Sequence, residues 1–191
     1  MARPKQDANT PSARERIETT FWEMLSESPY MDITVSNLSR RAGVNHNTLY
    51  YYYENIDEMA KLFFDSNLDP QIPMRILSDA ARAEDPDLNV RLSDDLIMRW
   101  KRACLFAKSD SAALQSYFKE SIIACWLDAA GINEESLSTE DALCIDYIFG
   151  GITAIVSADR SVSDPDLFAR LLRRNHALEN LREIVIRSMV Q

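Results

Sequence analysis

Between Asn45 and Tyr51 the chain reads NHNTLYY. Asn45, His46, Asn47, Thr48, Tyr50 and Tyr51 there offer hydrogen-bond donors, acceptors and aromatic rings on short side chains. Carboxamides, hydroxyls and an imidazole at this density suit contact with base edges and phosphate oxygens. Such groups are useful only if rigid elements hold them on one side. Residues 34–53, TVSNLSRRAGVNHNTLYYYY, have the spacing of two short helices meeting at a sharp turn. Leu38 and Ala42 are expected to face inward, Gly43 to make the turn, Val44 to plug the corner, and Leu49 with Tyr52 to anchor the second helix. Gly43 is one of only four glycines in the chain, so finding it at the turn is informative. Thr34 is expected to cap the first of these helices and Asn45 the second, each leaving amide donors near the surface. The pattern is a helix-turn-helix. In the tyrosine run, Tyr50 and Tyr51 are expected to point outward and Tyr52 and Tyr53 to serve the core at least in part. Arg40 and Arg41 read as a solvated face with at most a supporting role at phosphates.

The elements on either side are helical. A first helix is expected from Thr10 as N-cap with Pro11 at its first position, carrying Ile17, Phe21, Met24 and Leu25 on one face and ending before Pro29. Asn55 and Glu58 form a capping-box pattern opening a helix that runs to about Leu68. Residues 73–84 read as a moderate helix and 87–92 as a short turn. Ser93 with Asp94 and Asp95 starts a stronger one, and Ser111 starts another that stops at Gly131. Ser138 to about Ser157 is expected to be helical, and Asp164 with Pro165 to open a final long helix. The seven prolines all fall at plausible helix boundaries, and the fold class that follows is all-α.

Composition bounds the function. The 191 residues are 46% hydrophobic and 27% charged, ordinary for a globular chain. Cys104, Cys125 and Cys144 sit in apolar surroundings, twenty-one and nineteen residues apart, which fits reduced packing thiols and no metal site. With no Walker loop, no nucleophile elbow and two histidines, neither catalysis nor a cofactor is expected. Without an apolar leader or a span-length segment, a cytoplasmic protein with no membrane partner is expected. Net charge is −9. Residues 1–53 are neutral, six cations against six anions, and the acid begins at Glu54, Asp57 and Glu58. Phosphate contacts should therefore be few and the dependence of DNA affinity on salt shallow.

Two features beyond the motif admit alternative readings. Trp100, Cys104, Tyr117, Phe118, Ile122 and Trp126 recur at helical spacing, which fits either the lining of an effector pocket or plain core. Tyr147, Gly151 and Ile155, with Phe168, Leu171 and Leu178, give the two C-terminal helices a wide apolar face. That face either closes the core of one chain or meets a second copy in a four-helix interface. Gly150 and Gly151 in mid-helix are expected where backbones approach closely.

Residues 12–63 resemble the DNA-binding region of the TetR family of transcriptional regulators. The resemblance rests on the helical lead-in, Thr34, Leu38, Ala42-Gly43-Val44, Thr48-Leu49-Tyr50 and the aromatic Tyr53. It implies an N-terminal three-helix helix-turn-helix domain at 10–54 and a larger helical ligand-binding and dimerisation domain at 55–191, about nine helices in all, with 55–68 as connector. It implies that Ser36, His46, Asn47, Thr48 and Tyr50 lie in or beside the major groove and that Thr34, Tyr51 and Tyr52 approach phosphates. The partners implied are a palindromic double-stranded DNA operator, a second copy of the chain, and a small-molecule effector that releases the DNA. Two positions depart from the family pattern: Ser39 where alanine is usual, and Ile56 where a lysine commonly meets a phosphate. The rival reading keeps the fold and makes the chain a helical protein-binding adaptor with weak DNA affinity and no effector.

Overall fold

The computed structural model describes residues 11–72, 93–158 and 177–188. The expected helix at 73–84, the turn at 87–92 and the start of the final helix at Asp164-Pro165 lie outside the described residues. Within them the chain is all-α, with no strand. Eight α-helices are described: α1 Ala13–Glu27, α2 Val35–Ala42, α3 His46–Tyr52, α4 Ile56–Asn67, α5 Asp94–Ala107, α6 Ala112–Ala130, α7 Thr139–Ser157 and α8 Ala177–Ser188. Short 3-10 turns at Tyr30–Asp32 and Glu134–Ser136 complete the described elements. The chain divides into two compact units, with the boundary between Phe63 and Phe64 inside α4.

In the first unit α1 begins later than its sequence suggests. Ser12, not Thr10, is the N-cap: its hydroxyl accepts from the Glu15 amide at 3.2 Å while its own amide donates to the Glu15 carboxylate at 2.6 Å. Two orphan donors are satisfied reciprocally, so Pro11 stays outside the helix. The Ser12 amide also holds the Glu15 carboxyl below its ordinary pKa. Ile17, Phe21, Leu38, Leu49 and Met59 are fully buried, each worth about 1.5–3 kcal/mol of apolar burial. Phe21 packs against Phe63 at 5.4 Å, and Tyr53 meets the same ring edge-on at 5.4 Å. The Tyr30 hydroxyl donates to Asp57 in the first turn of α4, and burial followed by that carboxylate pushes the Tyr30 pKa up. At the same helix start the Asn55 side chain accepts from the Glu58 amide at 2.8 Å.

The second unit has two apolar clusters. Phe64 stacks on Phe106 at 4.4 Å and lies 5.5 Å from Phe118. Beside this stack the Arg99 guanidinium donates to the Asn67 carbonyl at 2.9 Å, and the Asn67 side chain donates back to the Arg99 carbonyl at 3.0 Å. This exchange satisfies carbonyls left open where α4 ends. The other cluster joins α6, α7 and α8 through Leu127, Ile145, Ile148, Phe149, Leu181 and Ile184. Ser93, Ser111 and Ser138 cap α5, α6 and α7 as their sequences suggest. Gly131 ends α6 in the left-handed region, φ 67°. Gly150 and Gly151 differ from expectation: a Cβ built on either meets nothing within 4 Å. Among the described residues no close backbone approach accounts for them.

Candidate nucleic-acid interface

The turn of the helix-turn-helix is fixed by hydrogen bonds that only a left-handed residue allows. Gly43 has φ 64° and ψ 37°. Its amide donates to the Arg40 carbonyl at 3.3 Å and the Val44 amide donates to the Ser39 carbonyl at 3.0 Å. The paired bonds close α2 in a Schellman motif and turn the chain toward α3. Arg16 on α1 reaches the Gly43 carbonyl at 3.4 Å. Ser39 is tolerated in the core because its hydroxyl donates to the Val35 carbonyl at 2.6 Å, leaving no polar group unpaired.

Inside the motif Leu38, Ala42 and Leu49 are buried and Val44 is half-buried, as expected. Tyr52 is not the second anchor. It is 41% exposed, whereas Tyr53 is 3% exposed. The reason is local: α3 stops at Tyr52, and Tyr53 in an extended conformation, φ −142°, turns its ring inward onto Phe63. Burial pushes the Tyr53 phenol pKa up, an effect that the nearby Arg14 offsets only in part.

With Leu49 and Tyr53 committed to the core, the rest of α3 is presented outward. His46 and Asn47 are exposed, Thr48 is half-buried, and Tyr50 and Tyr51 are 57% and 81% exposed. His46 with Tyr50, and Asn47 with Tyr51, stand one above the other at i, i+4. The Tyr51 and Tyr52 rings meet edge-on at 5.1 Å. Asn45 caps α3, its side-chain oxygen accepting from the Asn47 amide at 2.9 Å. Its two N–H donors are not consumed by that bond. Thr34 caps α2 in the same way, accepting from the Asn37 amide at 3.2 Å, and Ser36 beside it is exposed.

The cations of α2 are occupied, a feature invisible to the sequence count. Arg41 donates to Glu27 at 2.7 Å and to Glu23 at 3.4 Å, tying α2 to α1. That bond lowers the Glu27 carboxyl pKa and raises the Arg41 pKa further. Arg40 donates to the Asn37 side chain at 2.8 Å.

In the second unit the six aromatic and apolar positions on α5 and α6 do not share one environment. Phe118 is buried against Phe64. Tyr117 donates to the Asp65 carboxylate at 2.8 Å, and burial followed by this bond raises its pKa. Trp100, Cys104 and Ile122 are half-buried, and burial pushes the Cys104 thiol up to about 11. Trp126 alone of the six lines the gap among Leu127, Phe149, Leu181 and Ile184, a space of about 20 Å³. Ligand pockets commonly need roughly 300 Å³ or more. On α7 the side chains of Leu143 and Tyr147 are 64% and 83% exposed, Gly151 is exposed and Ile155 is half-buried. Phe168 and Leu171 lie outside the described residues, and nothing is described of the Leu178 side chain.

The chain is similar in structure to the TetR family repressor AlkX from Dietzia sp. strain DQ12-45-1b, implicated in biodegradation of n-alkanes. The two share 17% identity at a TM-score of 0.46, over 91% of this chain and 97% of that one. No family model and no curated protein matches the sequence. Among the described residues no helix is long and apolar enough to cross a membrane, and no cluster of His, Cys, Asp and Glu could hold a metal ion.

Proposed function

We propose that the chain is a TetR-like, DNA-binding transcriptional regulator acting as a homodimer on a palindromic operator, with release by a small effector bound in the helical second unit. The observation that carries this is the pairing of a rigid turn with a polar outward face. Gly43 fixes the angle between α2 and α3, Leu49 and Tyr53 pin α3, and Asn47, His46, Thr48 and Tyr50 are left outward as base-contacting groups. Thr34, Ser36, Asn45, Tyr51 and Tyr52 flank them as neutral donors to phosphate. The exposed stripe of Leu143, Tyr147 and Gly151 supports a second copy as the occupant of α7. Half-buried Trp100, Cys104 and Tyr117 are the groups proposed to meet the effector.

The alternative is a helical adaptor whose second unit binds another protein. The withdrawal of Arg41 into its clamp with Glu27 favours it, since fewer cations then face phosphate. Replacing His46 and Asn47 together by alanine separates the two. The regulator loses selectivity for an inverted repeat near its own gene in a gel-shift assay, with thermal stability unchanged. The adaptor shows no selective shift before or after the change.

A further inference from the structure

We infer that the recognition face of α3 reads A·T base pairs, so that the constrained major-groove positions of the operator half-site are adenine and thymine, not guanine. This rests on the DNA-binding reading above and specifies the sequence class it recognises.

The argument is one of donor and acceptor geometry. In the major groove guanine presents two acceptors, N7 and O6, and its usual reader is a guanidinium or ammonium that supplies two donors together. No Arg or Lys stands between Ala42 and Tyr53. The two nearest in the motif are directed elsewhere: Arg41 to Glu27 and Glu23, Arg40 to Asn37. His46 does not replace them, because its two ring nitrogens lie on opposite edges and cannot reach N7 and O6 at once. Adenine presents an acceptor, N7, beside a donor, the N6 amino group. A carboxamide supplies the complementary donor and acceptor side by side. Asn47 is exposed on the first turn of α3 with only its backbone amide used in the cap, which leaves its carboxamide available. In the major groove thymine carries a C5 methyl group that cytosine lacks, and Thr48 and the 57% exposed Tyr50 ring on the same helix offer apolar surface to meet it. Asn47, Thr48 and Tyr50 therefore fit an A·T pair, and no group on this face fits guanine with two donors as a guanidinium does.

Selection from a randomised duplex library with the full-length protein tests this. The expected product is an inverted repeat whose most constrained half-site positions are A·T. In the selected duplex, 7-deazaadenine at the Asn47 position, which lacks the N7 acceptor, should weaken binding roughly tenfold. Uracil for the neighbouring thymine should weaken it by a smaller factor. Asn47→Ala should bind the natural and 7-deaza duplexes equally, while keeping the wild-type helical signal and melting temperature. Half-sites constrained to G·C, or equal binding of the 7-deaza duplex by the wild-type protein, would overturn the inference and leave DNA binding standing. Failure to enrich any duplex would instead remove the DNA-binding reading, and this inference with it.

Discussion

Replacing Gly43 by alanine tests whether the turn is held by its left-handed backbone. At φ 64° an alanine pays the steric penalty of the left-handed region, about 1–2 kcal/mol. A Cβ there would lie 3.6 Å from the Arg16 guanidinium, an ordinary contact, so packing adds nothing further. Alanine also restricts the unfolded chain, which returns roughly 0.4–1 kcal/mol. The net loss is about 1 kcal/mol, confined to the first unit. Amide hydrogen exchange reads it directly: protection in α2 and α3 should fall about fivefold, with α6 and α7 unchanged. Asparagine, which tolerates this conformation, should lose less. Gly131→Ala provides the matching case, with φ 67° and open space around the position, and should weaken the end of α6 alone. Unchanged or increased protection in α2 and α3 of Gly43→Ala would refute the reasoning.

Gly151→Ala should stabilise the isolated chain by roughly 1 kcal/mol in urea denaturation, because a helix interior prefers alanine and the new methyl meets nothing within 4 Å. It should also weaken self-association in sedimentation if a second copy packs its backbone there; unchanged association would remove α7 from the interface. For DNA binding, the plot of log affinity against log salt should have a slope shallower than about −4, and Arg41→Gln should leave it unchanged within about one unit. A slope near −10 would show free cations at phosphate. The pair of Arg41 and Glu27 should respond to acid. The folded Glu27 pKa lies below its ordinary 4.5, so the pair's contribution is present above that value and is lost as pH falls through the lowered one. The denaturation midpoints of wild type and Arg41→Gln should therefore differ at about pH 6 and converge at about pH 3; a gap that stays constant would contradict this.

Local chemistry made most of the helices legible in the sequence. Ser93, Ser111 and Ser138 mark their helix starts, and Gly43 and Gly131 their ends, because a cap and a left-handed residue satisfy backbone groups within a few positions. The N-cap of α1 lies two residues beyond Thr10 because the reciprocal bonds of Ser12 and Glu15 outweigh the preference for proline at a first helical position. Tyr53 is buried as expected but takes the anchoring place expected of Tyr52, because the inward turn depends on where α3 stops, within one residue. Long-range partners left no local signal: the stack of Phe64 on Phe106 joins residues far apart in sequence, and the Arg41 clamp changes what a charge count means. The exposed face of α3 was legible because burying Leu49, in mid-helix, sends His46, Asn47, Tyr50 and Tyr51 the other way.

The most direct test of the central claim is the binding of the full-length protein to a labelled duplex carrying an inverted repeat from beside its own gene, titrated against a scrambled duplex of equal composition. The account predicts selective binding of two chains per duplex, abolished when His46 and Asn47 are both alanine. Equal affinity for the two duplexes, or selectivity that survives the double substitution, would contradict it.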